Sequence, residues 1–225
     1  MPQVLFVHSG TTSGESHRAR QGAYTRKMAR ELKDAVRGRG VRFLDRDIAA
    51  KPPCLVDSTW IKAAQTPPPS RSKEQMHRLR ESDLLVNEVL HSDVIVIACP
   101  VYNFGVPTPL KAWVDNIVRP GKTYTTNEQR PNPVVYGLLH NKRVVLLVSS
   151  AHASPAANGM TTAIDHADTA VKSVFKQLGV HNFDVVVLEG AGEDDKEQLK
   201  SSWSQCEQQI AQVGASVHAH LFSTR

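Results

Sequence analysis

The sequence predicts an α/β chain built on one open parallel sheet, with helices covering both of its faces. Two observations predict it. Unbroken apolar runs of strand length occur at Val94 to Cys99, Val144 to Val148 and Val185 to Leu188, as parallel strands buried on both faces require. Between such runs lie segments whose apolar residues recur every three or four positions, the period of a helix with one buried stripe.

Taken in order, Gln3 to His8 reads as the first buried strand and is followed by a Gly/Ser/Thr loop. Tyr24, Met28, Leu32 and Val36 then mark an amphipathic helix beneath the cation-rich stretch Arg18 to Arg39, ending at Gly38 and Gly40. Val41 to Leu44 is a second short strand. Pro52, Pro53 and Pro67 to Pro69 break up a long excursion holding Trp60, an insertion rather than an interdomain linker. Met76, Leu79, Val86 and Leu90 mark a helix that leads into the central strand, Asp93 to Cys99. A helix from about Leu110 to Val118 precedes the loop Pro120 to Pro133, and Lys142 to Ser149 is the next strand. The helix of Ile164, Ala167, Val171, Val174 and Leu178 leads to the strand Asp184 to Leu188. The last helix carries Leu199, Trp203, Cys206, Ile210, Val213 and Val217. Five strands alternating with helices imply right-handed crossovers, the strand order 2-1-3-4-5 and a single domain over 1–225.

Composition removes several classes of function. No apolar run approaches the roughly 20 residues of a membrane-spanning helix, so no membrane partner is expected. The N-terminal segment enters a strand without preceding cations or a small-residue cleavage site, which reads as cytoplasmic. Cys54, Cys99 and Cys206 are scattered and odd in number, suggesting reduced thiols and neither a disulfide framework nor a zinc site. The 27 Lys and Arg exceed the 22 Asp and Glu only slightly and are diluted along the chain, so no nucleic-acid partner is expected. Neither the Asp165, His166 and Asp168 group nor the His218 and His220 pair has a further ligand at workable spacing, and no metal is expected. Cys99 lacks the arginine of a C-x5-R phosphatase loop, since the sixth residue on is Gly105. There is no G-x-S-x-G elbow either.

In an open parallel sheet, ligands bind beyond the carboxyl ends of the strands where the order reverses, here the loops after the first and third strands. The first, Ser9-Gly10-Thr11-Thr12-Ser13-Gly14-Glu15-Ser16, sets five hydroxyls and two glycines before a helix N-terminus, where free amides and the dipole favour an anion. It has neither the Gly-Lys-Ser/Thr of a Walker loop nor G-x-G-x-x-G, which leaves a monophosphate; by itself it is also compatible with an ordinary polar loop. The second, Pro100-Val101-Tyr102-Asn103-Phe104-Gly105-Val106-Pro107, places two aromatics, an amide and a glycine among prolines, a platform suited to a flat heterocycle.

These loops, with Leu110-Lys111-Ala112-Trp113-Val114-Asp115, Arg119-Pro120-Gly121-Lys122-Thr123-Tyr124 and the strand ending Ser149-Ser150, resemble the FMN-dependent NADH:quinone oxidoreductases and azoreductases. The resemblance covers nearly the whole chain and is most specific over 100–124. It implies a flavodoxin-like three-layer sandwich, a homodimer and FMN at the subunit interface. Ser9, Ser16, His17 and Arg18 would hold the phosphate, while Pro100, Val101, Tyr102, Asn103, Phe104, Ser150 and His152 would contact the isoalloxazine. The sequence departs from the family at His17-Arg18 and at Ala151-His152-Ala153. Arg18 is either a charge-assisted partner of the phosphate or a solvent-facing side chain, and His152 either a donor to flavin or substrate or a surface residue.

The implied activity is hydride transfer from NADH or NADPH through FMN to quinones or azo dyes by a ping-pong cycle, with no side chain nominated as catalytic. The alternative is an FMN-binding electron-transfer module without its own acceptor. A basic balance and a substrate-sized insertion around Trp60 stand against it.

Overall fold

The apolar runs become neighbouring strands of one sheet. The computed structural model describes residues 1–11, 17–38, 40–127, 134–151, 163–192 and 196–223. Its strands are β1 (Gln3–His8), β2 (Arg42–Asp47), β3 (Val94–Pro100), β4 (Tyr124–Thr126), β5 (Val135–Gly137), β6 (Arg143–Ser149) and β7 (Asn182–Leu188). Its helices are α1 (His17–Val36), α2 (Ser58–Gln65), α3 (Lys73–His91), α4 (Thr108–Ile117), α5 (Ala163–Gln177) and α6 (Lys196–Ser223).

Five strands pair in parallel in the order β2-β1-β3-β6-β7, while β4 and β5 form a separate antiparallel ribbon. The five-stranded parallel sheet is as expected. The order 2-1-3-4-5 needs correction, because β4 falls inside the segment read as a loop and β5 just beyond it, making the last two sheet strands β6 and β7. Strands of three residues are too short to show a period of two.

Alternation along each buried strand divides the core into two layers. Leu5, Val7, Ile95, Ile97 and Cys99 point to the face covered by α3, α4 and α5, where they meet Val86, Trp113 and Phe175. Val4, Phe6, Val94, Val96 and Ala98 point to the other face and pack on Met28 and Leu32 of α1 and Ile210 of α6. Burying each such side chain stabilises the fold by about 1.5–3 kcal/mol relative to leaving it in water. The sheet is therefore held from both sides, and its carboxyl edge is the rim on which a site can be built.

The excursion after β2 packs within the chain. Trp60, only 5 % exposed, forms a satellite core with Ala63, Ala64 and Leu79. Asp57 caps α2 by accepting from the Trp60 N–H at 2.8 Å, and Ser72 with Gln75 forms a capping box on α3. Arg71 Nε donates to the carbonyls of Ala63 and Thr66 at the end of α2. Beneath this unit lies Arg119, just beyond α4, with no exposed surface. Its Nη1 donates to Ser82 Oγ at 2.6 Å and Asp83 Oδ1 at 3.1 Å, and its guanidinium lies 5.5 Å from the Trp60 ring. Ser82 Oγ in turn donates to the Asn116 carbonyl at 2.6 Å, so one hydroxyl ties α3 to α4 and to the buried cation.

The β4–β5 ribbon is seated by backbone contact. A Cβ on Gly137 would lie 2.0 Å from the Leu178 carbonyl carbon and 2.1 Å from the Gly179 nitrogen, where no side chain fits.

Two outcomes follow for stability. Gly137→Ala forces the ribbon off the end of α5 and lowers stability by about 3 kcal/mol in a denaturant titration, the upper part of the overpacking range. Ser82→Ala leaves the Asn116 carbonyl without its donor and Arg119 with one acceptor fewer, costing about 2–3 kcal/mol by the same measurement.

Candidate functional site

The loop leaving β1 is held by main-chain geometry. Ser9, 1 % exposed, receives its place from two bonds to the Ala98 carbonyl of β3, its N–H donating at 3.1 Å and its hydroxyl at 2.8 Å. A Cβ on Gly22 of α1 would stand 1.9 Å from the Thr11 carbonyl oxygen, and one on Gly10 would stand 2.6 Å from the Gly22 Cα. Only glycine at both positions lets the helix lie directly on the loop. Arg26 Nη2 adds a bond to the Gly10 carbonyl at 3.0 Å while the same guanidinium pairs with Asp47 at 2.8 Å.

Electrostatics at this corner follow from burial and pairing. Burial pulls the His8 imidazole below its ordinary pKa, and the hydrogen bond to Asp45 only partly offsets it. For Asp47 burial alone would raise the pKa, but the bonds from Arg26 and the Ala50 N–H outweigh it and hold the carboxyl below its usual range. The loop thus starts beside a neutral imidazole and a neutralised ion pair. The N-terminal end of α1, the positive end of the helix dipole, follows it.

The loop leaving β3 is a strained two-residue turn. Tyr102 and Gly105 exchange both backbone hydrogen bonds, at 3.0 and 3.1 Å, while Asn103 and Phe104 between them have φ of 49° and 63°. Positive φ at two successive non-glycine residues is the mirror-image hairpin turn that normally selects Asn-Gly. Asn103 tolerates it; Phe104 is strained by about 1–2 kcal/mol and yet is 77 % exposed. Pro107 then leads directly into α4, with a second proline in the first helical turn.

The two loops touch. The Thr11 N–H donates to Tyr102 Oη at 3.2 Å, and Gln21 Nε2 of α1 donates to the Val101 carbonyl at 3.2 Å. From the third side, the Val101 N–H donates to the Ser149 carbonyl at the end of β6, and the Ser150 N–H to the Leu188 carbonyl of β7. The structure therefore brings Ser9, Pro100, Val101, Tyr102, Asn103, Phe104 and Ser150 to adjoining strand ends. Ser16 and His152 lie outside the described residues, and of His17 and Arg18 only the backbone, in the first turn of α1, is described.

Gln21, Arg26 and Ser149 are site residues that the sequence analysis missed. A signal for Gln21 existed: the buried stripe of Met28 and Leu32 runs back through Thr25 to Gln21, so a polar residue there faces inward and needs a partner. Nothing in the local sequence marks Ser149, whose hydroxyl donates to the Gln21 carbonyl at 2.9 Å.

Chemically, the rim offers hydroxyls, amides and aromatic surface. The one thiol nearby, Cys99, has no exposed surface and burial pushes its pKa up to about 12, so it is no nucleophile. Such a set can bind and orient a polar, planar molecule, and it sits beside the His8–Asp45 and Arg26–Asp47 pairs.

A family model described as "Flavodoxin-like fold" matches residues 15–210. An FMN-dependent NADH:quinone oxidoreductase from Jannaschia sp. (strain CCS1) is 34% identical over 188 residues, 84% of this chain and 92% of that protein. Another relative, the FMN-dependent NADH:quinone oxidoreductase 2 of Colwellia psychrerythraea (strain 34H), is 34% identical over 142 residues. That match takes in 63% of this chain and, a little under two thirds, 65% of the relative's own length. The crystal structure of an azoreductase from Bacillus anthracis superposes with a TM-score of 0.76 at 21% identity, covering 95% of this chain and 99% of that one, which shows a common fold. By the span of the family match and by its likeness to the Jannaschia protein, this chain belongs to the flavodoxin-like family in which those NADH:quinone oxidoreductases are found.

Proposed function

We propose that this chain is an FMN-dependent oxidoreductase that takes reducing equivalents from NADH or NADPH and delivers them to quinones or azo compounds by a ping-pong cycle. The observation that carries the reading is the contact of the two loops at the ends of β1 and β3, an anion-binding start of a helix bonded to a strained, aromatic turn. The residues present fit FMN: Tyr102 and the exposed Phe104 set aromatic surface against the loop that leads to the start of α1. FMN, when bound, supplies the chemistry, accepting a hydride from the nicotinamide and passing two electrons to the acceptor.

The chain's own groups bind, orient and polarise. Ser9, Ser16, His17, Arg18 and the first amides of α1 form the phosphate end. Pro100, Val101, Tyr102, Asn103, Phe104, Ser150 and His152 form the ring end, where backbone N–H groups favour negative charge on the ring. No side chain is required as acid or base, and protons come from water. Ser9 has its hydroxyl proton engaged with Ala98, so it reaches a phosphate only by giving up that bond.

The reading also includes one domain over 1–225, a homodimer, a cytoplasmic location, and partners confined to small aromatic molecules. Support for the dimer is the exposure of Leu55, Ile61, Met76 and Leu84 along α2, α3 and the segment before them. The three unpaired cysteines support a reducing compartment.

The decisive measurement is the visible spectrum of the purified protein before and after NADH: a bound flavin that bleaches with NADH and recovers with a quinone is expected. A flavin that both NADH and NADPH leave oxidised would favour the electron-transfer alternative, and a protein that ignores FMN would overturn both. Ser16→Ala weakens FMN by about 1.5–3 kcal/mol, one bond to a charged acceptor. Ser9→Ala weakens it less, because the bond gained to phosphate is offset by the Ala98 bond lost; fluorescence titration measures both. Phe104→Gly relieves the turn and raises stability by about 1 kcal/mol while lowering kcat/KM for the acceptor, which thermal unfolding and steady-state kinetics report together.

A further inference from the structure

Gln21 is an amide where an apolar side chain would be expected. It lies in the buried stripe of α1 and is 2 % exposed, yet α1 is already fixed to the sheet by Met28, Ala29, Leu32 and Val36. An amide buried at such a position costs stability unless its bonds are made, so what it bonds to shows what it holds. Its Nε2 donates to the Val101 carbonyl at 3.2 Å, the Val101 N–H donates to the Ser149 carbonyl at 2.8 Å, and Ser149 Oγ donates back to the Gln21 carbonyl at 2.9 Å. The three bonds close a circuit joining α1, the turn after β3 and the end of β6. Ser149 has no exposed surface and Val101 only 7 %, so the circuit is shielded from water. The next residue, Gly22, rests on the Thr11 carbonyl. One turn of helix therefore grips the β1 loop with residue 22 and the β3 loop with residue 21.

We infer that Gln21 is a positioning residue that keeps the phosphate end and the ring end of the site in register, so that a ligand spanning both is met by a preorganised pair. The inference rests on the reading of this rim as an FMN site. Its physical content is chelation. A ligand that engages both ends gains the second contact without a further loss of freedom, provided the separation of the ends is fixed. Riboflavin has the same ring without the phosphate and engages one end alone.

The test is fluorescence titration of the full chain with FMN and with riboflavin, for the natural protein, Gln21→Met and Ser149→Ala. Gln21→Met removes the donor to Val101, and Ser149→Ala opens the circuit from the other side should the first variant not fold. Each is expected to raise the FMN Kd about tenfold, the worth of one buried hydrogen bond, while the riboflavin Kd stays within about twofold. The preference for FMN over riboflavin thus narrows although no phosphate contact has been touched. Equal losses for both flavins would mean a merely structural role and overturn the inference, as would unchanged affinities. Failure of the natural protein to bind either flavin would appear before any substitution and would remove the reading of the site, and the inference with it.

Discussion

How closely α1 can lie on the ends of β1 and β3 governs everything at the carboxyl edge of the sheet. That distance is set where Gly22 meets the Thr11 carbonyl and Gly10 meets Gly22, contacts closed to any Cβ. Given this approach, Arg26 reaches the Gly10 carbonyl and Gln21 reaches Val101. A helix standing one methyl group farther away would lose both of these bonds, since hydrogen bonds weaken steeply beyond about 3.2 Å. The site is thus a consequence of helix–sheet packing, and the two-layer core that fixes α1 stabilises it from a distance.

The division of labour between rigid and strained parts is also clear. Cys99 at the end of β3 has no exposed surface and belongs to the core, while five residues later Phe104 adopts a left-handed conformation in solvent. A chain can keep such a residue only where the surroundings over-determine it, and here the Tyr102–Gly105 bonds and the prolines at 100 and 107 do so. Backbone strain of about 1–2 kcal/mol is a sizeable fraction of a typical net stability, so its placement at the rim is informative.

Legibility from sequence varied with the physics of each element. Val94 to Cys99 and Val144 to Val148 could be read as strands because burial on both faces leaves an unmistakable apolar run. Tyr124–Thr126 and Val135–Gly137 could not, since three residues carry no period and the two strands lie outside the five-stranded sheet. The two rim loops were found by composition and by the rule for strand ends. Trp60 was placed in an insertion but not in its core, because the small residues it packs on, Ala63 and Ala64, carry little hydrophobic signal. The circuit through Gln21 and Ser149 spans 128 residues of chain, and no local pattern encodes a bond between residues so far apart. Likewise the turn type at 102–105 was invisible, because Phe104 is the residue that rule would exclude.

The ties that hold the loop after β3 run through the Val101 N–H and carbonyl, the backbone bonds of Tyr102 and Gly105, and the Tyr102 hydroxyl, which accepts from the Thr11 N–H. The exposed side chain at the tip of the turn, Phe104, contributes to none of them. Substitution at that tip can therefore change the shape presented to an incoming molecule while leaving the frame beneath it intact. Such a separation lets single replacements reshape the surface that the turn presents, with the scaffold buffering each step, and it locates the evolvable part of this protein in a turn of two residues.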